Sequence, residues 1–333
     1  MITQCCTKIS GVGAYIPKQR ILTSELLEAA NSISYGTPAN YIEKMIGIES
    51  VYYSNDTEQP SDMAISASIQ AIANSRIKPA DIGMIIFCGI DRDWQEPATA
   101  HRVQEKIGAI NSMCFDVSNA CHGFMNGVSI ADMYIRSGCI DTALVCTGEK
   151  PSEVAKFALQ KINANRDKAI FRSSLGSLTT GDAGGAMVIQ RSEKNGGGFK
   201  SMQFKSIGKH ANLCYYKRTD HGIEGQMLMR EITMEIARLH SEIIDSTYEM
   251  LNWLPRDIDT AVCHQVGAKP HRLLAKTAGI ELEKAPVTYK KYGNLTSATI
   301  PVIMHFNPPK KGDRLLFLGT GSGLSVCQAG MVF

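Results

Sequence analysis

Apolar positions along this chain change period in a fixed order, and that order is written twice. In the first copy a short apolar run, DIGMIIFCGI at 81–90, gives way to a helical period ending in VQEKIG at 103–108. SNACHGF at 118–124 and a second apolar run, CIDTALVCTG at 139–148, follow. In the second copy DIDTAVCHQ at 257–265 leads to LLAKTAG at 273–279, then YGNLTS at 292–297 and GDRLLFLGT at 312–320. Short apolar runs bounded by turn residues read as buried strands, and the 3.6-residue period reads as helix. Each copy therefore reads strand, helix, a Gly- or Ala-flanked turn opening a second helix, and another strand. Alternating β and α elements favour a mostly parallel sheet with helices packed on it.

The remaining pattern completes two halves. KISGVGAYIP at 8–17 reads as a strand, and Ser61 reads as the N-cap of a helix reaching Ile72. Residues 149–180 are polar and basic without a clean period, an excursion over the site. EKNGGG at 193–198 is linker-like and divides the chain into halves at 1–194 and 195–333. The second half opens with the strand KSMQFKSI, a polar loop at 209–225 and a long amphipathic helix from about Gln226 to Leu251. Two halves, each with one uncovered helical face, bury those faces against each other. The expected fold class is α/β: a layered α/β/α/β/α sandwich of two duplicated halves.

Composition narrows the function. The chain is 44% hydrophobic and 20% charged, ordinary for a soluble globular protein. No uncharged apolar run reaches the roughly 18–20 residues of a membrane span, and the start, MITQCCTK, lacks the basic-then-apolar pattern of a signal peptide. Ten cysteines without regular spacing do not read as a disulfide framework, and Cys88, Cys146, Cys263 and Cys327 sit in apolar runs as small hydrophobes. A reducing, cytoplasmic location is expected. The net charge of +3 is uneven: from His264 onward nine Lys or Arg face three Asp or Glu. Lys269, Arg272, Lys276, Lys290, Lys291, Lys310 and Lys311 read either as a solvated face or as a landing surface for CoA phosphates or an acidic carrier protein. No aromatic-interleaved basic motif points to nucleic acid.

Three residues carry the chemistry. Cys121 follows the apolar strand MCFDV and opens a helix running to about Ser137. A cysteine at a helix N-terminus meets unpaired N–H groups and the positive end of the dipole, which lower a thiol pKa and supply oxyanion donors. His264 closes the first strand of the second copy, where loops face a sheet-edge crevice. Asn294 occupies the turn equivalent to that of Cys121. The bland reading of each is a core thiol, a packed imidazole and an Asn-led turn; their places in the duplication favour convergence on one spot. Neutral donors from His264 and Asn294 suit an enolate oxygen. GTGSG at 319–323 superficially matches a dinucleotide fingerprint but has no helix after it, and reads instead as a tight turn bringing N–H groups near the sulfur. No His, Cys, Asp or Glu cluster has metal-ligand spacing.

In combination, GVGAYIP, DVSNACHGF, GDAGGA, CHQ, GNLTSATIP and the closing GTGSG resemble the thiolase superfamily, and within it the β-ketoacyl-acyl-carrier-protein synthase III group, over essentially the whole chain. The resemblance implies the five-layered thiolase fold and a homodimer, with a heterodimer of related subunits as the other assembly. It implies that Cys121 is acylated by an acyl-CoA or acyl-carrier-protein thioester, and that His264 and Asn294 bind a second thioester for a Claisen condensation. By the same carry-over, the backbone N–H groups of Cys121 and Ser322 form the acyl oxyanion hole, and Lys269 stands where the group docks its carrier. No cofactor is implied beyond the CoA or phosphopantetheine of the substrates.

Four departures shape the expectation. Gly267 replaces an Asn, Tyr41 a Trp that stacks on the CoA adenine, and Met45 an Arg that grips that nucleotide, which gives weight to a carrier-protein donor. Glu96 stands where housekeeping members carry a Phe that reaches the partner's acyl pocket. Head-to-head condensing relatives, which make olefin precursors and pyrones, carry a glutamate near this point as a base. Glu96 is thus either a loop acid or a base acting across the dimer, able to deprotonate a second thioester without decarboxylation. Acyl transfer to a hydroxyl or amine and a non-catalytic partner subunit remain the competing functions. A papain-like hydrolase shares the order Cys, His, Asn but not the duplication.

Overall fold

The computed structural model describes residues 6–192, 197–220 and 222–333. The expected linker at 193–198, including the boundary between halves, lies largely outside the described residues.

Two sheets form the frame. The first has the order Cys6–Tyr15, Ala183–Ser192, Thr142–Glu149, Met84–Phe87, Met113–Asp116. Its last three strands are parallel, Met84 pairing with both Ala143 and Met113, while Ala183–Ser192 runs antiparallel to its neighbours. The second sheet has the order Thr260–Cys263, Arg314–Gly321, Ser325–Val332, Gly198–Ser206, with the first pair parallel and the rest antiparallel. Met84–Phe87 and Thr142–Glu149 are buried along their whole length, which explains the apolar runs MIIF and ALVC within them.

The period-2 alternation of these strands sorts their side chains into layers. Ile86, Val145, Val262 and Phe317 face inward and pack with Phe124 and Val128 of the helix Gly123–Arg136 and with Ile303 of the helix Thr299–Phe306 in one core. Ile85, Phe87 and Leu144 face outward onto the helices Pro60–Ser75 and Thr99–Ile107. Leu316, Leu318 and Cys263 face outward onto Ile244–Leu251 and Ala268–Thr277. The result is helices, sheet, helices, sheet, helices: the five-layered thiolase architecture.

Local expectations differ from the structure at four places. The helix expected over 226–251 is a strand, Gly222–Met227, followed by two helices, Met229–Ser241 and Ile244–Leu251. The excursion at 149–180 contains the helices Ser152–Asn165 and Lys168–Ser174. Ser61 lies inside its helix, which starts at Pro60; its N–H and hydroxyl bond to Asp93 at 2.9 and 2.6 Å instead of capping. Finally, the sheets are not mostly parallel: three of their seven pairings are parallel and four antiparallel. Among the described residues no strand pairs with the outer side of Thr260–Cys263. Pro286, without an N–H, cannot donate to a ladder there. The Gln265 side chain ties the segment down instead, donating to the Pro286 carbonyl at 2.5 Å and accepting from the N–H groups of Thr288 and Tyr289 at 2.9 and 3.1 Å.

Candidate active site

The nucleophile turn leaves the first sheet after Met113–Asp116 and enters the central helix at Gly123. It is tightly wound: His122 N–H donates to Asn119 at 3.0 Å, Gly123 N–H donates to Ala120 at 3.0 Å, and Ala120 takes φ +48°. A non-glycine residue in the left-handed region persists where its surroundings force it, and such sites cluster at functional centres. The closing turn supplies that force. A Cβ on Gly321 would lie 2.7 Å from His122 Cβ and 2.8 Å from His122 N, so only glycine lets the GTGSG strand end press on the Cys121 turn.

The helix begins two residues after Cys121, and this corrects the expectation of an acidified thiol. Desolvation pushes the Cys121 thiol well above its ordinary value, Cys214 and Glu149 add to that, and only its own backbone N–H opposes it. Burial outweighs the dipole at this turn.

His264 follows the strand Thr260–Cys263, its N–H bonded to Leu318 at 2.9 Å. Its ring is 7% exposed and its Nδ1 is buried without a partner. Burial, and secondly His122, lowers its pKa to about 3, so the imidazole is neutral at physiological pH. Asn294 is held by its backbone between Thr179, which accepts its N–H at 2.9 Å, and Gly181, which donates to its carbonyl at 3.1 Å. Its Oδ1 accepts from Thr296 N–H at 2.9 Å. With the oxygen occupied, the amide nitrogen is the group left to donate to a ligand.

Cys121, His264, Asn294 and Ser322 line one cavity. Beyond them it runs between the helices Met229–Ser241 and Ala268–Thr277, along Ile232, Ile236, Pro270, Leu273 and Leu274. A second cavity shares Cys121, Asn294 and Ser322 and opens towards Ile90, Asp91, Val154 and Tyr216. The thiol thus sits where two largely apolar passages meet, one suited to an acyl chain and one to a further substrate arm.

Comparison with known proteins decides the family. Residues 115–208 match 3-oxoacyl-[acyl-carrier-protein] synthase III, and residues 249–332 match the C-terminal part of the same enzyme. An acyl-CoA:acyl-CoA alkyltransferase of Xanthomonas campestris pv. campestris is 30% identical over 332 residues, covering 96% of this chain and 97% of that one. The chain belongs to the β-ketoacyl synthase III-like condensing enzymes of the thiolase superfamily. A β-ketoacyl-[acyl-carrier-protein] synthase III of Clostridioides difficile is 29% identical, covering 95% of both chains. The structure of a Cys-to-Ser variant of Xanthomonas campestris OleA with bound lauric acid and lauroyl-CoA superposes with a TM-score of 0.90 at 27% identity, over 98% of this chain and 99% of that one. Solved OleA variants also include replacements of a histidine and of a glutamate.

The other expected residues of this condensing enzyme lie outside the thiol cavity. Glu96 is exposed and does not line the cavity of its own chain. Its loop is nonetheless well anchored: Asp93 pairs with Arg102 at 3.3 Å and takes the Ser61 donors, while Arg102 lies 5.9 Å from the Trp94 ring. Lys269 and Arg272 are exposed on the helix whose Pro270 and Leu273 line the cavity, so one helix carries a basic outer face and an apolar inner one. Tyr41 is half-buried beside the turn Ile42–Ile46, and Met45 is 64% exposed. Gly267 takes φ +140°, and a Cβ there would lie 2.7 Å from Ile46 Cγ2. The departure at Gly267 is therefore packed against the segment that carries Tyr41 and Met45. Among the described residues no group of His, Cys, Asp or Glu is placed to hold a metal ion.

Three residues escape a reading of the sequence. Cys214 and Tyr216, from the strand Cys214–Thr219, line the second cavity. Glu149 ends the strand Thr142–Glu149, every residue of which is buried, and is itself fully buried. An acid at the end of a buried run is the available signal for Glu149; nothing in the polar stretch at 209–225 singles out the other two.

Proposed function

We propose that this enzyme joins two acyl thioesters through a cysteine-bound acyl intermediate, and that the second thioester is activated by proton removal instead of decarboxylation. Cys121 sulfur attacks the first thioester carbonyl, the bond to the CoA or carrier thiol breaks, and the cysteine proton leaves with that thiol. The backbone N–H groups of Cys121 and Ser322 take the negative charge on the carbonyl oxygen. A base then removes a Cα proton from the second thioester. His264 and Asn294 hold the enolate oxygen, and the carbanion displaces Cys121 to give a β-ketoacyl thioester and regenerate the thiol. No cofactor takes part beyond the pantetheine arms of the substrates.

The observation that carries this reading is the convergence of Cys121, His264, Asn294 and Ser322 on one cavity with an apolar passage behind it. A neutral His264 and an Asn294 with only its amide nitrogen left are donors, as enolate stabilisation requires. The base in this reading is Glu96 of a second copy of the chain. The strand Met113–Asp116 is an open sheet edge near exposed Met113 and Ile110, a surface that a second copy covers in a homodimer. The relative named acyl-CoA:acyl-CoA alkyltransferase supports two acyl thioesters as substrates, and the basic face at Lys269 and Arg272 supports delivery by CoA or an acidic carrier protein. Intact-mass analysis against acyl-CoA and acyl-carrier panels tests the first step. A mass increase equal to the acyl group, absent in Cys121→Ala and retained in Cys114→Ala, is expected; loading that survives in Cys121→Ala overturns the reading.

A further inference from the structure

Glu149 is fully buried yet lies on none of the cavity walls around the thiol. Its carboxylate collects donors from three parts of the chain. Thr147 Oγ1 donates to it at 3.1 Å from its own strand. Ile90 N–H donates at 3.2 and 3.3 Å to the two oxygens, at the start of the loop that leads to Glu96. The Ser297 hydroxyl contacts it from the second half, and Thr147 and Ser297 hydroxyls lie 2.7 Å apart. Ser297 follows Thr296, which is held at φ +49° and whose N–H fixes the Asn294 amide oxygen. A left-handed non-glycine residue needs its surroundings to hold it, and the Ser297 contact with Glu149 is next in the chain.

We propose that Glu149 is a positioning residue that locks the Asn294 turn of one half to the Ile90 loop of the other, fixing the direction of the Asn294 amide for the second substrate. The inference rests on the reading above, in which Asn294 serves condensation. Asn294 is braced on its other side by Thr179 and Gly181, so losing Glu149 loosens the turn without removing it. A misplacement of about 1 Å in a reacting constellation costs on the order of 10²-fold in rate.

The electrostatics agree with a bracing role. Burial and secondly the Asp91 carboxylate raise the pKa of Glu149, whereas the bonds from Ser297, Ile90 and Thr147 oppose the shift. The other titratable groups facing it are Cys88 and Cys121, whose thiols its charge raises. Ionisation at alkaline pH would oppose thiolate formation.

The test compares parent, Glu149→Ala, Glu149→Gln and Ser297→Ala in three measurements: Cys121 loading by intact mass, condensation from pre-loaded enzyme, and amide hydrogen exchange over 294–299. Glu149→Ala and Ser297→Ala should lower the ratio of condensation to loading by roughly 10²-fold and speed exchange in that segment. Glu149→Gln, which keeps the shape and an acceptor, should recover most of the condensation. Loading and condensation that fall together, exchange at the parent rate in both truncations, or a Gln variant as impaired as Glu149→Ala overturns the proposal. A parent that loads acyl groups but makes no carbon–carbon bond overturns the functional reading instead, and hydrogen exchange still decides the role of Glu149.

Discussion

Gly321 and His122 touch across the two halves so closely that a single added methyl at 321 would sit 2.7 Å from His122 Cβ. The contact joins the last turn of the second half to the residue that follows the nucleophile. Gly321→Ala should therefore leave most of the core intact but displace the Cys121 turn. Acyl loading is expected to fall by about 10²-fold or more, read as the rate of mass increase with an acyl-CoA. A loading rate within a few-fold of the parent would show that the turn absorbs the methyl.

In the proposed mechanism His264 and Asn294 act after Cys121 has been loaded. Their alanine variants should still load acyl groups while condensation falls by roughly 10²–10³-fold, the effect of removing one oxyanion donor. Variants that lose loading but condense from pre-loaded enzyme would reverse the assignment.

Glu96 is exposed, and in the homodimer proposed above it would act on the partner's Cys121, so mixed dimers test its role. Glu96→Gln should stop condensation of a second substrate without a free carboxylate, leave Cys121 loading in place, and spare reaction with a malonyl-type substrate. A mixed dimer of Glu96→Gln and Cys121→Ala chains should keep activity, because one intact Cys121 still faces one intact Glu96. Parent-like condensation by Glu96→Gln would make the residue a loop acid.

Three buried histidines set an acid limit on stability. Burial first, and neighbouring imidazoles for two of them, lower His122 to about 4 and His240 and His264 to about 3. The unfolded chain takes up these protons below about pH 6.5 while the folded chain does not. Stability is therefore fully present above that value and falls as pH drops from about 6.5 towards 4. By about pH 5 each histidine costs on the order of 2 kcal/mol. Thermal denaturation should show a Tm that declines steeply below pH 6.5 and a shallower decline in His240→Gln. A flat Tm between pH 7 and 5 would refute the assignment.

Much of the fold and of the site is legible in the amino-acid order alone. Central strands such as Met84–Phe87 are buried on both faces, so their sequence is an unbroken apolar run, and the duplicated order of runs and turns places Cys121 and Asn294 at equivalent positions. Side-chain bracing leaves no period to read. Gln265 ties down the segment at Pro286, Thr288 and Tyr289, and Ser61 serves Asp93 instead of its own helix end; both follow from contacts distant in sequence. The thiol of Cys121 departs from expectation for a similar reason: a helix N-terminus is a local signal, whereas the burial that overrides it is assembled by segments far along the chain, with Cys214 and Glu149 adding to the shift. Glu149 shows in the sequence only as an acid at the end of a buried run; its partners Ile90 and Ser297 are distant along the chain.

The central core belongs to neither half. Phe124 and Val145 from the first and Val262 and Phe317 from the second fill the same space around two buried helices. The two sheets share one interior, so neither could leave and still be covered. Rocking of one half against the other would tear that interior open. The substrates must therefore reach the thiol by threading along fixed passages, with the two halves staying shut through every turnover.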